Sequence, residues 1–180
     1  MRTDMDVASD RLIAALDEVV RTASVSGELK KALERVLRQL ESSTELMAWE
    51  VIPPTVFGRS LPESIRSCWV FGIRAEAKTG AERHPNSHQR SLSLTGSGVF
   101  EVRETDDWTP HGLVSEPHAP TSQKWVTIPE STWHRLLVDK QAWGMVSFHT
   151  VAPEELIEER PVDPKDLDGA THQERYAGRR

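Results

Sequence analysis

The chain has 180 residues, 37% hydrophobic and 28% charged, with a formal net charge of −6. That length holds one domain of roughly 100–150 residues plus an appendage, and the acidic balance argues against nonspecific nucleic-acid binding, whose affinity comes mostly from Lys and Arg on phosphates. No stretch reaches the roughly 18 apolar residues of a membrane span, the N-terminus lacks the apolar centre of a signal peptide, and the single cysteine, Cys68, excludes a disulfide framework or a Cys-rich zinc module.

These features read as a soluble, cytoplasmic protein. In the first segment, Leu12, Ile13, Leu16, Val19 and Val20 recur at three- and four-residue intervals. After a break at Ser24-Val25-Ser26-Gly27 the pattern resumes with Leu29, Leu33, Val36, Leu37 and Leu40. Both stretches carry charge opposite the apolar stripe, which predicts two amphipathic helices. Ser9 or Asp10 is the expected cap of the first and Ser26 of the second. The unit is a helical hairpin over residues 1–43. It is too short to be stable alone, so its apolar face must pack on the remainder or on a second copy, and a homodimer is expected.

Residues 44–155 have a different texture. Short apolar runs follow one another at Met47–Ile52, Cys68–Ala75, Ser91–Thr95, Val99–Val102, Lys124–Ile128, His134–Val138 and Trp143–Val151. Pro53-Pro54, Thr79-Gly80, Gly96-Ser97-Gly98, Asp106-Asp107 and Asp139-Lys140 separate them. Many short strands with evenly spaced turns predict an antiparallel sandwich or barrel. Trp69, Trp125, Trp133 and Trp143 are core candidates, and Cys68 a buried, inert thiol. Residues 156–180 are charged, broken by Pro161 and Pro164, and predicted to be a disordered tail.

Of the seven histidines, His111 and His118 lie in a proline-rich connection and His172 in the tail. The run Glu82-Arg83-His84-Pro85-Asn86-Ser87-His88-Gln89-Arg90 leads directly into Ser91–Thr95 and the glycine turn. Residues of equal parity on a strand face one side, so Glu82, His84, His88 and Arg90 group with Leu92 and Leu94. Pro85, which cannot donate to a ladder, disturbs that count. Further along, Ile128-Pro129-Glu130-Ser131-Thr132-Trp133-His134 ends one strand at a proline and begins the next at a histidine. His149, in Ser147-Phe148-His149, faces the cavity if Ser147 does. Arg74, Arg90 and Arg135 are candidates to recognise an anionic substrate.

These two stretches resemble the motifs of the cupin superfamily. Its first motif has two histidines one residue apart, a glutamate about four residues on, and then a glycine turn. Its second has a strand, a proline, a glycine and a histidine. Aligned on Ser93-Leu94-Thr95-Gly96-Ser97-Gly98, Glu82 stands at the first histidine, His84 at the second and His88 near the glutamate; Pro129 and His134 match the second motif, with Ser131 in place of glycine. The resemblance covers about residues 45–155. It implies a mainly β fold, a cupin-type antiparallel β-barrel (double-stranded β-helix), with one metal held by His84, His88 and His134. Fe(II) is the expected ion, with Zn(II), Ni(II) and Mn(II) as alternatives, since imidazole ligands alone do not choose among them. Glu82, as base or extra ligand, with Gln89 and Arg90 orienting a small-molecule substrate, would complete the site.

The expected activity is that of a non-haem iron dioxygenase on a small organic molecule. The alternatives are a non-redox metal-dependent isomerase, lyase or cyclase, or a barrel that binds a small molecule without catalysis. Neither nucleic acid nor membrane is an expected partner.

Overall fold

The computed structural model describes residues 4–175. Residues 1–3 of the expected hairpin and 176–180 of the expected tail lie outside them. Two helices open the chain, α1 (Asp4–Arg21) and α2 (Ala23–Glu41). They meet at Thr22, whose ψ of 139° is extended and breaks the helical path. Its hydroxyl donates to the Val19 carbonyl (2.9 Å). The break therefore lies before Ser24–Gly27, and neither Ser9, Asp10 nor Ser26 starts a helix. Gly27 sits inside α2, at a cost of about 1 kcal/mol against alanine. Tertiary packing offsets it, because Val25, Leu29, Ala32, Leu33, Val36 and Leu40 are all buried. No described helix is long and apolar enough to cross a membrane.

Ten strands follow. β1 (Met47–Val51), β2 (Ser67–Ile73), β8 (Trp143–His149), β3 (Gln89–Thr95) and β6 (Trp125–Ile128) make a five-stranded sheet in that order. β5 (Asp107–Val114), β4 (Ser97–Glu104) and β7 (His134–Val138) make a three-stranded one. Every pairing is antiparallel. The interior between the sheets is filled by Trp69, Phe71 and Ile73 of β2, Phe100 and Val102 of β4, Leu136 and Val138 of β7, and Trp143 and Met145 of β8.

The outer face of the larger sheet is covered as well. Cys68, Val70, Leu92, Trp125, Val146 and Phe148 pack there against the apolar stripes of α1 and α2. β2 and β8 are therefore buried at all seven positions each, which is why they read as continuous apolar runs without alternation. The helical stripe that suggested a dimer is spent on the chain's own sheet. Trp125 Nε1 donates to Asp17 Oδ1 (2.9 Å), tying α1 to β6. Burial alone would raise the Asp17 carboxyl, but hydrogen bonds from Arg21 and Trp125 outweigh it and hold the group below its usual range.

Two expectations are corrected. The proline-rich connection contains β5, with Pro110 in it. It is an edge strand, where a missing N–H is tolerated. The tail expected to be disordered instead forms a hairpin of β9 (Ile157–Pro161) and β10 (Thr171–Arg175). β9 is anchored far from its sequence neighbours, since Arg83 and Glu159 exchange backbone bonds of 3.0 and 2.9 Å.

Candidate metal centre

The segment before β3 pairs with the start of β7. Glu82 N–H donates to the His134 carbonyl (2.9 Å) and His134 N–H to the Glu82 carbonyl (2.8 Å). Directly opposed residues of a ladder share a face, so Glu82 and His134 point together. His84, two residues on, keeps that face. Its carbonyl accepts from Ser131 N–H (2.9 Å), which stitches the Pro129–His134 turn to the first motif. Ser131 has φ of +59°, the left-handed region, at the position where the resembling motif has glycine.

One donor atom from each of Glu82, His84 and His134 lies within 4.8 Å of the others. At a metal–ligand distance of about 2.1 Å, neighbouring ligands of a facial or tetrahedral set stand about 3.0–3.4 Å apart, so the group closes by about 1–2 Å at its widest on binding a metal. His84 Nδ1 lies 2.9 Å from the Ile157 carbonyl and His134 Nδ1 3.2 Å from the Thr132 carbonyl. A carbonyl can only accept, so both Nδ1 atoms carry a hydrogen, and the Nε2 atoms are the ones free to ligate a metal when the imidazoles are neutral. His134, 1% exposed, has a buried Nε2 with no hydrogen-bond partner, 3.6 Å from Glu82 Oε1. An orphaned buried nitrogen beside a carboxylate and a second imidazole fits a metal cation.

The charges agree. Burial works to raise the Glu82 carboxyl, but its contact with His134 and the charge of Arg160 outweigh it, so the group is held well below the usual range and ionised. His84 is pushed down to about 4, chiefly by burial and then by His134. His149 goes well below its ordinary value, again chiefly by burial. These last two imidazoles are neutral at pH 7, the state a metal ligand requires.

Around the cluster is a cavity with about 20 Å³ open to the centre of a water-sized sphere, room for about one water. Glu82, His84, Gln89, Ser147 and His149 line its polar side, and Met47, Phe71, Ile73, Phe100, Leu136 and Met145 its apolar side. Gln89 Nε2 donates to Ser91 Oγ (3.0 Å) and Ser147 Oγ (3.4 Å), which leaves Oε1 buried without a partner. His149 stands edge-on to His84, ring centroids 5.1 Å apart, with Nδ1 3.3 Å from Ser87 Oγ.

His84, His134, Glu82 and Gln89 thus lie around one cavity. His88 and Arg90 do not. The side chain of His88 is 42% exposed and faces Glu130, with Nε2 3.3 Å from Oε1. Asn86 turns the chain between the two stretches: its amide donates to the Glu155 carbonyl (2.8 Å) and accepts from Ile157 N–H (3.2 Å). The parity that holds up to His84 is therefore reversed in β3, where Gln89, Ser91 and Ser93 face inward. Arg90 pairs with Phe148 and Thr127 in the sheet and lies on the helix-covered face with Leu92. Arg74 and Arg135 are also elsewhere. Arg74 donates to the Leu40 carbonyl at the end of α2 (2.6 Å), and Arg135 to Glu101 (2.5 Å) while lying over the Trp108 ring. Sequence reasoning missed Glu158 and Arg160, which stand behind Glu82, because nothing local marks residues 157–160 as a strand.

No family model and no curated protein matches the chain by sequence. Solved structures match it by shape. The coconut allergen cocosin aligns with a TM-score of 0.50 at 10% identity, over 66% of this chain and 29% of that one. An 11S globulin from Wrightia tinctoria gives 0.50 at 12% identity, over 66% and 28%. Oxalate oxidase in complex with glycolate gives 0.46 at 11% identity, over 61% and 53%. The chain thus spans about half the length of the oxalate oxidase and under a third of cocosin and of the 11S globulin. Two facing antiparallel sheets, a Glu/His/His cluster and the two likenesses of shape at a TM-score of 0.50 agree with the sequence motifs: the chain has the cupin fold.

Proposed function

We propose that this cupin holds one Fe(II) at Glu82, His84 and His134 and is a dioxygenase for a small organic molecule. The observation that carries the reading is the donor set itself. Two imidazoles and one carboxylate, with the cavity side left open, is the combination that non-haem iron oxygenases use. Bound iron supplies the O₂ chemistry that side chains lack. The chain's own residues do the rest. Gln89 offers an unpartnered Oε1 to a substrate N–H or O–H, and His149 a neutral imidazole beside the ligands. The wall of Phe71, Ile73, Phe100 and Met145 excludes water and favours an apolar substrate body. The cavity's size supports a substrate of few atoms, or one whose bulk stays at the mouth.

The test is the metal content of untagged protein by elemental mass spectrometry, for the wild type, His134→Ala and His88→Ala. Near one equivalent of iron is expected in the wild type and in His88→Ala, and a loss of most of it in His134→Ala. Oxygen uptake with candidate substrates follows on the iron-loaded protein. One equivalent of zinc or nickel with oxygen-independent turnover would replace this reading with a non-redox enzyme. An absence of metal after reconstitution would leave a ligand-binding barrel.

A further inference from the structure

We propose that Arg160, backed by Glu158, is a positioning residue for the metal ligand Glu82, so that the C-terminal hairpin completes the metal centre. The inference rests on Glu82 being a metal ligand. Arg160 Nη2 donates to Glu82 Oε2 at 2.6 Å, and Arg160 Nε donates to Glu158 Oε1 at 2.6 Å. One guanidinium thereby bridges two carboxylates, and both distances are those of charge-assisted bonds. With Oε2 committed to Arg160, the oxygen turned towards His134 Nε2 is Oε1, 3.6 Å away. Arg160 selects which oxygen of Glu82 is available to a metal.

Charge explains why the second carboxylate is needed. A guanidinium beside a dication site opposes metal binding by repulsion, and the effect is strong where water is excluded. The Glu158 side chain is 1% exposed and lies against that guanidinium. It neutralises Arg160, so the orienting bond remains while the repulsion is largely cancelled. The same strand also aims a second ligand, since the Ile157 carbonyl takes the His84 Nδ1 hydrogen. β9 is held in place independently by the Arg83 and Glu159 backbone bonds. The hairpin therefore sets two of the three ligands.

The test is Co(II) titration of metal-free protein, followed by visible absorption. It compares the wild type with Arg160→Gln, Glu158→Gln and Arg83→Gln. The Arg83 side chain contacts Glu159 Oε2 (2.7 Å from Nε) and the Trp133 ring, so Arg83→Gln removes a salt bridge from the same hairpin while leaving the Arg160–Glu82 and Arg160–Glu158 bonds in place. Losses of outer-shell partners typically weaken metal binding about 10- to 100-fold. That loss is expected for Arg160→Gln, with an altered Co(II) spectrum as Glu82 is released. Glu158→Gln is expected to weaken binding about 10-fold or more, and it tests the idea even if Arg160→Gln does not fold. Arg83→Gln is expected to lower the melting temperature while leaving affinity and spectrum unchanged. If Arg160→Gln and Glu158→Gln bind Co(II) as the wild type does, or Arg83→Gln weakens binding as much as they do, the positioning role is wrong while Glu82 remains a ligand. If the wild type takes up no metal, the metal reading itself falls.

Discussion

Arg90 brings a guanidinium into an apolar layer, where two of its three nitrogens find no acceptor. It is 8% exposed, and its Nε and Nη1 are buried without a hydrogen-bond partner. Burial pulls its pKa down from the ordinary arginine value. Replacing a buried charge by an apolar side chain of similar length is often stabilising. Arg90→Met is therefore expected to raise unfolding stability by about 1–4 kcal/mol, read from urea denaturation midpoints. Its metal content should be unchanged, because the side chain lies on the helix-covered face of β3. A drop in stability would show that the guanidinium has an acceptor in solution. At this scale the residue types of the site were legible: a histidine at a strand start after Pro129, and another before Pro85. The faces of His88 and Arg90 were not, because the Asn86 turn reverses the alternation between His84 and Gln89.

The elements fit together through two facing glycines. Gly72 of β2 and Gly144 of β8 are register partners on the face that α2 covers. A Cβ on Gly72 would lie 2.9 Å from Leu37 Cδ2, and one on Gly144 would lie 2.6 Å from Leu33 Cδ2 and from Thr95 Oγ1. The pair is a seat into which α2 sinks. Gly144→Ala is expected to cost about 1–3 kcal/mol by overpacking, with a lower urea midpoint and faster amide exchange in α2. Unchanged exchange and an unchanged midpoint would mean that the seat has slack. Strands and helices with one buried face were readable from periodicity, and β2 and β8 from their continuous apolar runs. β5, β9 and β10 were not readable. β5 carries a proline that only an edge tolerates, and the exposure of β10 removes the alternation that marks a strand.

On the scale of the whole molecule, the site is an assembly of distant segments. Residues 82–84, His134 and the strand 157–160 meet only when the sheets close. An unfolded chain cannot present these ligands together, so metal binding is coupled to folding. A metal at about 100 times its dissociation constant adds about 2.7 kcal/mol, which for a domain of this size is a rise of about 5–10 °C in melting temperature. Scanning calorimetry with and without Fe(II) under anaerobic conditions should show that rise, and a chelator should reverse it. Identical melting curves would count against the site.

The amino-acid sequence by itself determined the class of the fold, the two amphipathic helices, the apolar strands and the residue types that meet at the barrel mouth. These follow from local periodicity and from short motifs, both of which act over a few residues. Tertiary structure alone decided which of those residues share a face, that Glu82 is in the cluster and His88 is outside it, and that Arg160 reaches back to Glu82 across 78 positions. The reason is physical. A strand's inward face is set by its register with its neighbours, and register is a matter of backbone hydrogen bonds between segments that no local pattern encodes.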